Sequence, residues 1–380
     1  MQNFEYHNPT RIVFGKNTIA ELANLISKDE KILMTCGGGS IKSNGVYEQV
    51  IEALKGYDIT EFWGIEANPQ YETCLKAIDI CKKENITFIL SVGGGSVLDG
   101  SKLIAAATKY EGDPWEIMLT CGESLKKDSL PIGAVLTIPA TGSEANGNAV
   151  ISRKETEEKL VLRSDYSYPK FSILDPETTF SLPIRQVRNG VVDSFIHVCE
   201  QYTTSYMKSE IHDCLCEAVL RTLVRIGKDV IDNPNDYDLK ANLMYSATVA
   251  LNKSLGCGAP QDWSTHAIGH ELTAFYGLDH AQTLAIILPG VLAKMKSDKE
   301  PKLSRFAKEV FGKETGDECI EAVEDFFKSL GINTKLSEYD IDAAEAAEKV
   351  IQRFTQRGVI LGEMGNMTPE VVKEIILMRA

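Results

Sequence analysis

Between Thr87 and Val92 the chain runs through a short apolar, strand-like segment. It then meets Gly-Gly-Gly-Ser at 93–96 and passes straight into the helix-like VLDGSKLIAAA. An earlier stretch has the same order, with Lys31 to Cys36 followed by GGGS at 37–40. A strand that ends in glycines and turns at once into a helix is the repeating step of a βαβ chain, because parallel strands can be joined only by long crossovers. The intervening segments keep that rhythm: helix-like Thr18 to Ser27 and Gly45 to Leu54, strand-like Ile59 to Trp63, helix-like Glu72 to Lys83, and strand-like Gly133 to Ile138 and Phe171 to Leu174. The alternation predicts a mostly parallel sheet covered by helices. Ahead of it, Phe4 to Tyr6 and Arg11 to Phe14 flank an Asn8-Pro9 turn, which predicts a β-hairpin.

From Pro183 the texture changes. Amphipathic helical patterns dominate (Gln186 to Thr203, Glu210 to Ile226, Leu239 to Leu255, then several more to Met378), with few strand signals. The 380 residues therefore read as two domains: an α/β domain over 1–182 and a helical domain over 183–380.

With 40 basic and 54 acidic side chains the net charge is −14, which argues against nucleic acid or an anionic membrane as partner. The nine cysteines are scattered through apolar segments, and Cys214-x-Cys216 has no second pair at zinc-ribbon spacing, so they read as reduced thiols. The N-terminus lacks the basic start and apolar core of a signal peptide, and no run approaches the ~20 apolar residues of a membrane span. A cytoplasmic location is the expectation.

The helical half carries Asp193-x3-His197, then His266-x3-His270, then His280 beyond a turn at Gly277. Residues four apart share a helix face, so each pair can present two groups in one direction. Singly these residues have plainer readings: a buried histidine satisfied by a hydrogen bond, or an Asp–His ion pair. Grouped, they fit a dication that needs a few imidazole or carboxylate ligands and an open position. His270-Glu271 also begins the zinc-protease pattern HExxH, but its second histidine would be residue 274, which is Ala274, so a protease is excluded.

In the first half, a glycine turn that opens a helix offers free N–H groups to phosphate. The second GGGS suits this better than the first, because it leads directly into a helix. Neither is the GxGxxG fingerprint, and one such run alone reads equally well as a tight strand-to-helix turn.

Taken together, GGGSVLDGSK at 93–102, PATGSEAN at 139–146, NGVVDSFIHVCEQY at 189–202 and GHELTAFYGLDHAQTLAI at 269–286 resemble the iron-containing (group III) alcohol dehydrogenases. The nearest likeness is to their NADPH-dependent butanol dehydrogenase and aldehyde reductase branch, and it runs over almost the whole chain. The resemblance implies a dehydroquinate synthase-like fold: an N-terminal dinucleotide-binding parallel-sheet domain and a C-terminal helical metal domain. It implies Asp193, His197, His266 and His280 as metal ligands for Fe2+ or Zn2+, and His270 as the catalytic proton-handling residue.

For the cofactor it implies Gly38, Gly39, Ser40, Asn68, Gly94, Gly95, Ser96, Asp99, Thr137, Thr141, Ser143 and Lys159. NADH-preferring members place an acidic residue after the first strand, where it repels a 2′-phosphate. That position is Gly39 here, so NADP(H) is the expected cofactor. Lys42 reads more readily as a solvated surface lysine than as a phosphate partner.

The implied activity is hydride transfer between NADP(H) and a short-chain aldehyde or primary alcohol, in a homodimer that uses the N-terminal hairpin as its pairing edge. A glycerol dehydrogenase-like polyol oxidoreductase on the same fold is the nearest alternative, and a non-catalytic nucleotide- or metal-binding protein is the other. Trp115, Trp263 and Phe275 could wall a substrate site, although aromatics at helical spacing more often belong to a core.

Overall fold

The computed structural model describes residues 1–126 and 129–380. They form two compact units, one of His7–Pro183 with Pro234–Thr248, the other of Met1–Tyr6, Ile184–Asn233 and Val249–Ala380.

The first unit contains eight strands among the described residues: β1 (Arg11–Phe14), β2 (Lys31–Cys36), β3 (Asp58–Phe62), β4 (Phe88–Gly94), β5 (Ile132–Ile138), β6 (Asn148–Arg153), β7 (Glu158–Arg163) and β8 (Phe171–Leu174). Six of them form one sheet in the order β1-β8-β5-β4-β2-β3, every neighbouring pair parallel. The two-residue period of a strand explains why both faces are apolar. Ile32, Met34 and Cys36 with Phe88, Leu90 and Val92 join Ile19, Leu22, Val46 and Val50 in one core. Leu33 and Ile89 point the other way, into a second core lined by Tyr71, Cys74, Ile78, Leu103 and Ile104. The helices Tyr71–Glu84 and Gly95–Lys109 supply that second layer, and each large aliphatic side chain so buried contributes about 1.5–3 kcal/mol.

Two sequence expectations change. Phe4 to Tyr6 is not a strand, so the N-terminal hairpin does not form. The backbone polar groups before β1 find other partners: Gln2 donates its N–H to the Gly258 carbonyl, and β1 pairs in parallel with β8. An antiparallel hairpin of β6 and β7, absent from the predicted strands, joins residues 148–153 to 158–163.

The helix Tyr237–Ala250 lies well beyond residue 182 in sequence, yet Pro234–Thr248 belongs to the sheet-bearing unit. Its Met244 packs on Leu136 and Leu174, its Tyr245 ring meets Phe14 edge-on at 5.9 Å, and Thr248 donates to Glu144 Oε1 at 2.5 Å. Its apolar face rests on Leu136 of β5, Leu174 of β8 and Ile12 of β1.

The second unit is helical among its described residues. Ile268 and Leu272 of the Ser264–Tyr276 helix pack with Ile286, Ile287 and Val291 of the His280–Lys294 helix, and with Val350, Phe354, Ile375 and Ile376 from the two helices Ala343–Arg357 and Pro369–Leu377. A separate aromatic group sets Phe195 of the Ile184–Tyr202 helix against Phe306, Phe326 and Phe327. No described helix is long and apolar enough to cross a membrane.

Candidate metal centre and cofactor loops

Three helices of the second unit bring the histidines together. Asp193 and His197 sit one turn apart on the Ile184–Tyr202 helix. His266 lies in the first turn of the Ser264–Tyr276 helix, which ends at Gly277 with φ +69°, a left-handed conformation glycine adopts without a Cβ penalty. Three residues later the His280–Lys294 helix starts. Asp279 caps it in a reciprocal box with Gln282, and Asn189 Nδ2 donates to Asp279 Oδ2 at 2.9 Å. His280 is thereby held at the first helical position, facing the other helices.

The three imidazoles converge on one carboxylate oxygen. Asp193 Oδ1 lies 3.5 Å from His197 Nε2, 3.7 Å from His266 Nε2 and 3.9 Å from His280 Nε2. Donor atoms of Asp193, His266 and His280 are all within 4.8 Å of one another, and the rings of His197 and His266 stack at 4.7 Å. Donors arranged tetrahedrally about zinc at its usual ~2.0–2.2 Å stand roughly 3.3–3.6 Å apart, so the distances from Asp193 Oδ1 to the three imidazole nitrogens are already near that spacing, while the imidazoles themselves would draw in on binding. The buried His266 Nε2 has no hydrogen-bond partner in the protein, as a nitrogen reserved for a metal would. The residues present therefore fit a dication.

Sequence reasoning missed the group behind this site. Glu200, buried, accepts the backbone N–H of His266 at 3.1 Å through Oε1 and the imidazole Nδ1–H through Oε2. Its backbone carbonyl also accepts Asp262 N–H at 2.8 Å. Positions 193, 197 and 200 share one helix face by their four- and three-residue spacing, and this was the available signal. With the Nδ1 proton held by Glu200, Nε2 is the nitrogen left for the metal.

Burial pushes His197 down to about 4 against the pull of Asp193, so it is neutral at physiological pH, as a ligand must be. Burial also opposes charge on His266, but Glu200 and then Asp193 outweigh it and hold that imidazole up at about 9. The same negative charge attracts a dication, which competes with the Nε2 proton. His270, half-buried, stands beside the cluster, its ring 5.0 Å from that of His280 and 6.0 Å from that of His266. Trp263 flanks the ligands, edge-on to His266 at 5.4 Å. Trp115 is core, packed on Tyr71, and Phe275 lies under the Arg353 guanidinium at 4.1 Å.

In the sheet-bearing unit the glycines of the two loops differ in kind. A Cβ at Gly93 would lie 2.6 Å from Val97, at Gly94 2.9 Å from Ile138 and at Gly95 2.2 Å from Thr141 Oγ1. These glycines are required by packing of β4 and its helix against the 138–141 segment. Gly38 and Gly39 instead face open space, and Gly39 has φ +108°. The 15-residue Gly95–Lys109 helix opens with no side-chain cap, so its first N–H groups remain available to a phosphate.

Ser96 Oγ donates to the Ala67 carbonyl, and Lys159 Nζ reaches Asn68 Oδ1 at 3.2 Å, so Asn68 and Lys159 do come together. Thr137 is buried, and Thr141 Oγ1 accepts the Ser143 N–H at 3.2 Å. Asp99 and Ser143 face inward: Asp99 Oδ1 accepts from Ser143 Oγ at 2.6 Å and Oδ2 from Val150 N–H at 2.9 Å. The fully buried Lys102 donates to Ser143 Oγ and to the carbonyls of Ser143, Asn146 and Asn148 at 2.7–2.9 Å. This buried network shapes the 141–148 segment around the start of the helix. The donor set and the open loops fit a dinucleotide.

With fold and site in place, comparison with known proteins decides the family. Residues 9–176 match the model for iron-containing alcohol dehydrogenase, and residues 188–379 match the C-terminal model of the Fe-containing alcohol dehydrogenase family. The chain belongs to the iron-containing alcohol dehydrogenase family.

It is 47% identical to the NADPH-dependent aldehyde reductase YqhD of Escherichia coli, over 99% of each chain. The crystal structure of E. coli YqhD superposes with a TM-score of 0.97 at 46% identity, over 100% of this chain and 99% of that one. An NADP-dependent alcohol dehydrogenase 3 of Entamoeba histolytica is 45% identical over 93% of each chain. An NADH-dependent butanol dehydrogenase A of Thermotoga maritima has a TM-score of 0.94 at 37% identity, over 100% and 99%. The parallel-sheet and helical units are those of the family, and the chain is an oxidoreductase of its alcohol dehydrogenase and aldehyde reductase type.

Proposed function

We propose that this enzyme reduces short-chain aldehydes to primary alcohols with NADPH, and runs the reverse oxidation with NADP+, using Fe2+ or Zn2+ held by Asp193, His197, His266 and His280. The observation that carries the reading is the convergence of three imidazole nitrogens on Asp193 Oδ1 within 3.9 Å. When bound, the dication polarises the substrate oxygen and the nicotinamide carries the hydride.

The chain's own residues do the rest. Glu200 keeps the Nδ1 proton of His266 in place, and Asp279 and Asn189 fix the helix start that presents His280. His270, half-buried beside His280, passes the proton between the substrate oxygen and solvent, a task suited to imidazole near neutral pH. Trp263 screens the ligands from water on one side.

In the sheet-bearing unit, Gly94, Gly95 and Ser96 at the helix start would receive the pyrophosphate, with Thr137 and Thr141 beside it and Asn68 with Lys159 toward the riboses. Asp99 and Ser143 act from behind by holding these loops. Gly38, Gly39 and Ser40 would take the adenosine end, where open space at Gly39 in place of an acidic side chain favours NADPH over NADH. The free edge of β1 supports a homodimer, to be checked by light scattering. Nine unpaired cysteines suit the cytoplasm.

The test is NADPH oxidation with butanal, against NAD+ reduction with glycerol, on enzyme loaded with Fe(II) or Zn(II). Butanal reduction with NADPH is expected, and turnover with glycerol and NAD+ alone would overturn the reading. His266→Ala is expected to lose both metal and turnover. His270→Ala is expected to retain metal by elemental analysis while losing about 10²-fold or more in kcat, the usual scale of general acid–base catalysis. A metal-depleted His270→Ala protein would place His270 among the ligands instead.

A further inference from the structure

Lys42 is an exposed lysine, but it is not simply solvated. Its Nζ lies 4.1 Å from the centroid of the Trp63 ring and 5.2 Å from that of Tyr47. These two rings stand 5.7 Å apart, tilted by 53°. Both are pinned by one carboxylate: Tyr47 donates its hydroxyl to Glu61 Oε1 and Trp63 its indole N–H to Glu61 Oε2, each at 2.7 Å. Glu61 thus spends both oxygens on the aromatic platform. Lys42 forms no ion pair with any described residue, and the platform holds its charge through the π faces without neutralising it.

The platform's position gives it a purpose. Trp63 directly follows β3, and the next two backbone N–H groups, of Gly64 and Ile65, donate to the Cys36 carbonyl at 3.2 Å, where β2 enters the Gly37–Ser40 turn. Lys42 is tied to the same turn, its N–H donating to the Gly39 carbonyl at 3.0 Å. A cation without a carboxylate partner therefore stands beside two glycines that face open space. A phosphate monoester bound there would find an ammonium already placed, with all three of its protons free of protein acceptors.

We propose that Lys42, stationed on Trp63 and Tyr47, is the group that takes the 2′-phosphate of NADPH, and that the Trp63–Tyr47–Glu61 platform is the positioning device that sets cofactor choice in this chain. The proposal rests on the reading that the Gly37–Ser40 turn faces the adenosine end of the cofactor. It bears on an open choice, because the family includes both an NADPH-dependent and an NADH-dependent relative of similar fold.

The experiment is calorimetric titration of the folded enzyme with two probes that differ only in that phosphate, adenosine 2′,5′-bisphosphate and 5′-AMP, followed by NADPH and NADH. Lys42→Ala is expected to weaken the bisphosphate and NADPH by about tenfold or more, as loss of a charge-assisted hydrogen bond implies, while 5′-AMP and NADH stay within about twofold. Lys42→Arg should restore most of the difference. Trp63→Ala is expected to weaken the bisphosphate about three- to tenfold with 5′-AMP unchanged, and Trp63→Phe, which keeps a ring face and a similar fold, should lie between it and the native enzyme.

Equal effects of Lys42→Ala on both probes, or none on either, would overturn the role of Lys42. Bisphosphate binding unchanged in both Trp63 variants would overturn the platform. If native enzyme bound NADPH tightly while Lys42→Ala changed nothing, this inference alone would fail, whereas failure of native enzyme to bind either dinucleotide would remove the cofactor reading beneath it.

Discussion

At the scale of single residues, the proposed metal centre would depend on a side chain outside the ligand set. Glu200 is separated from His266 by 66 positions yet takes both its backbone and imidazole protons. Carboxylates in this position raise ligand basicity and hold the ring in register, and their loss typically costs ~10–100-fold in metal affinity. Glu200→Gln is therefore expected to weaken metal binding by that factor in a competition titration with a chelator, with secondary structure by circular dichroism unchanged. Unaltered affinity would show that packing alone orients His266. Helical spacing displayed Asp193, His197, His266, His270 and His280 as candidates in the sequence, and the family resemblance, not spacing, implied which four would bind metal and set His270 apart. Glu200 shares the helix face of Asp193 and His197, but its role was not legible because its partner His266 lies on another helix and no local pattern records that pairing.

At the scale of elements, the two glycine turns look identical in sequence and behave differently. The Gly93–Gly95 turn is tight because β4, its helix and Thr141 meet there, so Gly95→Ala would drive a Cβ into Thr141 Oγ1 at 2.2 Å. Overpacking of this kind costs about 1–3 kcal/mol, and the melting temperature is expected to fall by several degrees. Gly38→Ala meets nothing within 4 Å and is expected to leave stability within about 0.5 kcal/mol. Equal melting temperatures for the two variants would refute the distinction. Lys102, on the same helix as Asp99, is the buried post on which the 141–148 segment hangs. A charge so deeply buried is tolerated because several oxygens surround it.

At the scale of the whole molecule, acid sensitivity has an identifiable contributor near the chain's end. Burial raises the Glu324 carboxyl, but Arg379 with Thr334 and Lys328 outweighs it and holds the group down at about 2 against an ordinary 4.5. Arg379 also donates to the carbonyls of Ile286 and Thr334, so this ion pair fastens the C-terminal residues to two other segments. A depressed carboxylate contributes stability that is fully present above its unfolded value and is lost as pH falls through the folded one. The contribution, of order 1 kcal/mol for a partly screened pair, should vanish between about pH 4.5 and 2. Denaturant unfolding of Glu324→Gln is expected to show a lower plateau at neutral pH and a shallower loss across that window, and parallel curves for both proteins would contradict the assignment.

The sequence alone determined the alternation of strands and helices, the parallel sheet, the helical second half and the grouping of Asp193 with four histidines, because these follow from periods of two and 3.6 residues and from spacings a few positions long; the assignment of four of them as metal ligands is what the family resemblance implied. Only the tertiary structure decided the rest. It gave the Tyr237–Thr248 part of the Tyr237–Ala250 helix to the sheet-bearing unit, removed the N-terminal hairpin, turned Asp99 and Ser143 inward, set Glu200 behind His266 and laid Lys42 on Trp63. Each of those outcomes joins groups distant in sequence or lets one hydrogen-bond partner win over another, and that competition is settled by packing once the chain has folded.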